Sequence, residues 1–291
     1  MNLPEKYITR IGEISPELAV KSVKINDDGL MNDIIIVNDE FVYRFPKNEY
    51  AFKNLPAEAR LLIFLQDKIT LKIPKPFYAG DDVLAYRIIP GETLRRDWLL
   101  KLGEEEQQKI ADQMAQFFKE LHSVDAASAD FEIGAADALA GYEGWVGAYA
   151  RIKERVFPLL MPHVRDLMQE HFEDFLADEN NFAFEPKMVD TDIPPYHIMF
   201  DAERKVINGI IDFGCAGMGD PASDFSVIVY NYGEGFYRRF FRLYPEAEQY
   251  QKRARFYAGA QEVRWILTGI ERNDNWWLTV HTSGAKDFGY N

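Results

Sequence analysis

Over the first ninety residues the apolar positions fall in short extended runs, each closed by residues that favour turns. Positions 19–26 alternate and end at Asp27-Asp28-Gly29. Ile34-Ile35-Ile36-Val37 is a β-branched run closed by Asn38-Asp39-Glu40, and positions 41–45 form a third extended segment. Asn54 is placed to cap a helix whose first turn holds Pro56, and Leu61, Leu62 and Leu65 keep helical spacing. Positions 73–78 and 83–89 read as two more strands parted by Gly80-Asp81-Asp82, and Pro90-Gly91 breaks the chain.

The period then changes. In positions 104–123, Ile110, Met114, Phe117, Phe118 and Leu121 fall on one helical face. Helical patterning also covers about positions 142–177. Between Lys187 and Asp212 it gives way to short extended pieces at 197–200 and 206–211, and it resumes at Pro221. Strands gather at one end and helices at the other. The expected class is therefore α+β, with a small mostly-β lobe at 1–90 and a larger helical lobe at 91–291, not a doubly wound parallel sheet.

Composition narrows the partners. The 291 residues carry a formal charge of −14 with no offsetting basic tract, which disfavours nucleic acid and suits a cationic ligand or plain solubility. No apolar run approaches the length of a membrane span, and the opening residues lack an apolar signal region. Cys215 is the only cysteine, so no disulfide forms within the chain. These features lead us to expect a cytoplasmic protein without a membrane partner.

Two segments carry chemistry. One is Asp190-Thr191-Asp192-Ile193-Pro194-Pro195-Tyr196-His197, and the other is Ile210-Ile211-Asp212-Phe213-Gly214. Phosphoryl transfer needs a group that orients the attacking hydroxyl and takes its proton, and divalent metal to neutralise phosphate oxygens. Asp192 suits the first task, and Asp212 with His197 suits the second. Plainer roles compete: Asp192 as a turn cap, Asp212 as an acceptor of backbone bonds, His197 as a core histidine.

These segments resemble the catalytic loop and metal motif of the aminoglycoside and macrolide phosphotransferases, which share the two-lobed protein-kinase-like fold. The usual loop has His-x-Asp and then Asn five residues later; here Asp190 stands in the His place and His197 in the Asn place. Asp190 is expected to accept from backbone N–H groups, or to perturb Asp192 by like charge. The resemblance implies that Arg44 occupies the place of the phosphate-binding Lys, with Glu58 as its ion-pair partner. Tyr86 and Ile88 lie on a strand resembling the hinge beside the purine. Positions 27–33 lie where the nucleotide-covering loop belongs, with Gly29 its one glycine. Asp220 and Asp224 are expected to brace the helical lobe, and His122 to be structural. Trp265, Trp276 and Trp277 are read as core or as an acceptor wall.

The implied activity is transfer of the γ-phosphoryl group of GTP or ATP, with Mg2+, to a hydroxyl of a small cationic or sugar-containing acceptor of the aminoglycoside or macrolide kind. A bulky Tyr86 resembles the residue of relatives that accept GTP. Two alternatives stay open: a metabolic sugar or amino-alcohol kinase of the same fold, and a nucleotide-binding module that has lost turnover.

Overall fold

The computed structural model describes residues 5–26, 29, 31–136 and 141–282, without the side chains of residues 276 and 282. The expected nucleotide-covering loop therefore falls partly outside the described residues, at Asp27, Asp28 and Leu30, as does the Trp276 side chain.

The chain opens with helix α1 (Glu5–Ile14), then strands β1 (Val23–Asn26), β2 (Asn32–Val37) and β3 (Phe41–Pro46), helix α2 (Glu49–Leu65), and strands β4 (Pro76–Ala79) and β5 (Leu84–Arg87). The five strands form one antiparallel sheet in the order β1-β2-β3-β5-β4. Asn38 and Asp39 turn the β2–β3 hairpin with φ of 57° and 55°, the left-handed pair that matches strand twist. The first strand starts at Val23, later than the alternation from residue 19 implies. Asn38 is the cause: its Oδ1 accepts from the amides of Lys21 (2.7 Å) and Ser22 (3.1 Å), bonds a ladder would otherwise use.

Alternation in β3 sorts its side chains. Tyr43 and Phe45 join Ile35, Val37 and Ala85 beneath Tyr7 and Ile11 of α1. Val42 lies on the other face with Leu84 and Tyr86, in the core that includes Leu55, Ala59 and Leu62 of α2. Arg44 shares the Val42 face by the same period of two. Helix α2 begins a turn and a half before the Asn54 start expected from sequence. Asn48 is its cap, accepting from the Ala51 amide at 2.9 Å, and Pro56 sits inside the helix. Leu55, Glu58, Ala59 and Leu62 then point at the sheet with helical spacing, and all four are buried.

After Gly91 come β6 (Glu92–Thr93), α3 (Arg96–Leu99), α4 (Glu104–His122), α5 (Gly141–Arg155), α6 (Pro162–Leu176), β7 (Lys187–Val189), β8 (Ile198–Asp201), β9 (Val206–Ile210), β10 (Gly217–Gly219), α7 (Pro221–Tyr232), α8 (Glu234–Tyr237), α9 (Gln251–Arg272) and α10 (Asn275–Thr282). The helical stretch expected at about 142–177 is two helices parted by a 3-10 turn at Phe157–Leu159, where Pro158 and Pro162 interrupt the pattern. Ile110, Met114, Phe117, Phe118 and Leu121 of α4 are fully buried, as their spacing implies.

Several contacts join the lobes, among them Thr70 of the sheet lobe, whose amide donates to Glu120 of α4 at 2.7 Å. Gly91 has φ of 150°, and a Cβ there would lie 2.9 Å from the Phe200 amide nitrogen, so glycine lets β6 pair with β8. Lys72 accepts from the Ile210 amide at 2.9 Å, tying the chain before β4 to the end of β9, just ahead of Asp212. The result is a two-lobed kinase-like architecture with a five-stranded antiparallel sheet in one lobe and helices in the other.

Candidate active site

Three segments far apart in sequence converge where the lobes meet. From the sheet, Arg44 extends its guanidinium into the interior. Its Nη1 donates to Glu58 Oε1 on α2 at 2.5 Å, and its Nη2 donates to Asp212 Oδ1 at 3.1 Å. Arg44 and Glu58 are buried, while the Asp212 side chain keeps 41% of its exposure and opens on the cleft. Burial pushes the Glu58 carboxyl up and Arg44 pulls it back only in part. Burial opposes the charge on Arg44, but Asp212 and Glu58 outweigh it and hold the guanidinium charged.

Asp212 follows β9 directly and has φ of 66°, a left-handed turn that ends the strand and aims the carboxylate back at Arg44. Burial raises its pKa, but Arg44 and then His197 more than reverse this, and the group ends below the usual carboxylate range. The Asp212 carboxylate is thus kept anionic and presented to the cleft.

His197 closes a short 3-10 turn, Pro195–His197, made by the Pro194-Pro195 pair. Its Nδ1 donates to the backbone oxygen of Asp192 at 2.9 Å. A ring that donates from Nδ1 has its Nε2 lone pair available to a metal. That Nε2 stands 3.6 Å from Asp212 Oδ2. Mg2+ commonly takes one or two protein ligands and completes its octahedron with phosphate and water oxygens, so Asp212 and His197 fit as its protein-borne share. No group of three or more His, Cys, Asp or Glu able to hold a metal occurs among the described residues.

Asp192 lies half-buried on the same loop. Burial raises its pKa, His197 opposes that, and Asp212 adds to it. Thr191, just before it, has φ of 67°, a conformation β-branched residues rarely adopt. Asp224 holds that turn in place. Its Oδ1 accepts from the amides of Asp190 (3.1 Å) and Thr191 (2.7 Å), and its Oδ2 faces His122 Nε2 at 2.9 Å. His122 is buried and reaches the Tyr244 hydroxyl through Nδ1 at 3.2 Å. Asp220 caps α7 and binds Arg253 (2.9 Å) and the Tyr257 hydroxyl (2.8 Å).

Of the two expectations for Asp190, acceptance from backbone amides is corrected. Among the described residues its carboxylate accepts from no backbone amide; Asp224 has taken that role, and both Asp190 side-chain oxygens are buried with no hydrogen-bond partner there.

Tyr86 is buried on the Arg44 face of the sheet, paired opposite Val42. Burial raises its hydroxyl to about 12, with Arg44 working against that and Asp212 adding to it, which places the hydroxyl beside the ion-pair cluster. Ile88 lies just past β5, and its amide donates to Glu40 O at 2.8 Å. Its N–H is therefore spoken for, leaving side chain and carbonyl for a ligand.

Sequence reasoning passed over Tyr196. The residue is 58% exposed, and its ring meets His197 edge-on, 4.6 Å between centroids. Burial, and then the charges of Asp192 and Asp212, push its hydroxyl up to about 12. An aromatic behind a Pro-Pro pair was the available signal. Trp265 and Trp277 pack at 6.0 Å on α9 and α10, with the His281 ring 4.5 Å from Trp265.

A cleft between a sheet lobe and a helical lobe, lined by this set of carboxylates, an imidazole and a buried guanidinium, defines a kinase-like phosphotransferase. The chain belongs to the phosphotransferase enzyme family, whose model matches residues 22–257. It is similar to a solved GDP and kanamycin complex of APH(2")-IIia, at 25% identity, with 95% of each chain covered and a TM-score of 0.82. The fold is also that of macrolide 2'-phosphotransferase type I, at 17% identity, with 99% of this chain and 100% of the other covered and a TM-score of 0.76. Over 273 residues, 84% of each chain, it is 22% identical to the uncharacterized protein YcbJ of Bacillus subtilis (strain 168). Among the described residues no helix is long and apolar enough to cross a membrane.

Proposed function

We propose that this protein is a nucleotide-dependent small-molecule kinase that transfers the γ-phosphoryl group to a hydroxyl of an aminoglycoside- or macrolide-like acceptor. The observation that carries the reading is the meeting of Asp192, His197 and Asp212 with the Arg44–Glu58 pair at one cleft. The similarity to an enzyme solved with GDP and kanamycin supports the acceptor class.

In this reading Asp192 orients the acceptor hydroxyl and takes its proton. The hydroxyl oxygen bonds to the γ-phosphorus as the bond from phosphorus to the β–γ bridging oxygen breaks, and the diphosphate leaves with that electron pair. The upward displacement of the Asp192 carboxyl by burial makes it a better proton acceptor than a solvated aspartate. Arg44, oriented by Glu58, is the cation that would position the α- and β-phosphates. Asp212 and His197 would hold Mg2+, which would supply charge neutralisation at the phosphate oxygens. Tyr196 offers its exposed face to the acceptor at the mouth of the site. Tyr86, filling the inner wall, disfavours the adenine hydrogen-bonding pose, so GTP serves at least as well as ATP.

Release of GDP or ADP, coupled to a spectroscopic readout, tests this across aminoglycosides, macrolides and amino alcohols. Turnover on an aminoglycoside or macrolide is expected. Preference for a simple sugar or amino alcohol would make it a metabolic kinase, and nucleotide binding without transfer to any hydroxyl would sink the catalytic reading.

A further inference from the structure

Asp190 is the one carboxyl of the catalytic loop that the reaction above leaves unused, and its setting is unusual. It is 0% exposed, and neither of its side-chain oxygens has a hydrogen-bond partner among the described residues. The charges that act on it through space are acidic: Asp224 from α7, then Asp192 from its own loop, Asp212 beyond β9 and Glu58 from α2. The nearest cation of that cluster, Arg44, has its two terminal nitrogens on Glu58 and Asp212. On the far side of Asp224 lies His122 of α4, turned toward Asp224. An ionised carboxylate so placed is strongly disfavoured with nothing to offset it, whereas a neutral carboxyl leaves only ordinary polar atoms unpaired. Burial first, and the surrounding carboxylates next, displace its ionisation far upward.

Its backbone stands at a mechanically important point. The Asp190 and Thr191 amides share one oxygen of Asp224, and that grip maintains the left-handed turn at Thr191 that presents Asp192. Strain of this kind persists only while the surroundings over-determine it.

We propose that Asp190 is a positioning residue that keeps the catalytic loop in working form only while its carboxyl carries a proton. Neutral, it remains buried beside Asp224 and leaves the Asp224–Thr191 grip intact. On losing its proton it repels Asp224 and must reach water, and the turn ahead of Asp192 opens. The chain would thus carry an alkaline off-switch in the residue where relatives of its loop place histidine. The kinetic arm of the test rests on the phosphotransfer reading; the other arms do not.

The sign of the linked stability is fixed by the direction of displacement. A carboxyl whose folded value is raised binds its proton in the folded state where the unfolded chain has released it. Its burial therefore costs nothing below the unfolded value of about 4, and stability falls as pH rises from there toward the folded value. Thermal unfolding of the ligand-free protein and of Asp190→Asn is to be compared across pH. The expected result is coincidence near about pH 4 and a growing advantage for the variant at higher pH. A difference independent of pH would overturn the proposal. Should Asp190→Asn not fold, carboxyl carbon NMR of the wild-type protein decides: a resonance assigned to Asp190 that stays in its protonated position through neutral pH supports the proposal, and one that titrates with ordinary aspartates overturns it. In the kinetic arm, kcat at saturating nucleotide and acceptor should fall about ten-fold per pH unit on the alkaline side in the wild type and stay level over the same range in Asp190→Asn. An identical alkaline limb in both proteins would count against Asp190. If no acceptor is turned over at all, the functional reading fails while the unfolding and NMR arms still judge Asp190.

Discussion

Across 168 residues of chain, Arg44 Nη2 donates to Asp212 Oδ1 at 3.1 Å while Nη1 of the same guanidinium holds Glu58 at 2.5 Å. One planar side chain thus ties the sheet, the helix beside it and the turn after β9 into a single unit. A compact ammonium cannot engage two carboxylates through a fixed fork in this way, which gives Arg its own role here.

Replacing that guanidinium is expected to cost stability as well as phosphate binding. Arg44→Met strands the buried Glu58 carboxyl and should lower unfolding free energy by about 3–5 kcal/mol, read by denaturant titration. Arg44→Lys keeps one charge and should lose less. Equal stability of wild type and Arg44→Met would show that the ion pair contributes nothing net.

Asp192→Asn should lower kcat by about a hundred-fold or more while fold and nucleotide affinity remain near wild type, because it removes the proton acceptor and little else. Single-turnover kinetics and nucleotide titration check this. A variant with near-normal turnover would exclude Asp192 as the base.

Asp212→Ala should abolish activity or sharply raise the Mg2+ requirement, since it deletes the anionic member of the pair. His197→Ala should do so more mildly, and His197→Asn, which offers an amide oxygen in place of the ring nitrogen, should be tolerated. Mg2+ titrations of turnover for the three variants separate these cases. Equal inactivation by both His197 substitutions would argue against a ligand role.

Tyr86 is expected to select the base. Wild type should use GTP at least as well as ATP, and Tyr86→Ala should gain ATP efficiency, because the hydrogen bonds at stake are worth about 1–3 kcal/mol when left unpaired. Steady-state kcat/KM with both nucleotides measures the switch. A strong ATP preference unchanged by the substitution would dismiss Tyr86 as the selector.

Much of this was legible in the chain. Period-two runs and turn residues marked the β2–β3 hairpin, because Asn38-Asp39 tolerates left-handed backbone and β-branched neighbours do not. The spacing of Ile110, Met114, Phe117, Phe118 and Leu121 gave the α4 face, since helical geometry alone puts them in one stripe. Boundaries were less legible. The α2 start moved from Asn54 to Asn48, because both are capable caps and only the packing of Leu55 and Glu58 against the sheet favours the earlier one.

By itself the sequence determined the elements and the chemical types available to the site, because these depend on local periodicity and on residue identity. Tertiary structure decided which groups meet and in what state. Alternation made Arg44 and Tyr86 inward-facing, but only the closing of the lobes through Lys72 and Ile210 brought Asp212 to that arginine. Nor could spacing reveal that Asp224, not Asp190, would bind the loop amides. That choice was made by α7, whose Asp224 takes the loop amides and leaves Asp190 buried without a partner among the described residues. Contacts between distant segments and the dielectric around a carboxyl are properties of the packed chain, and no local pattern encodes them.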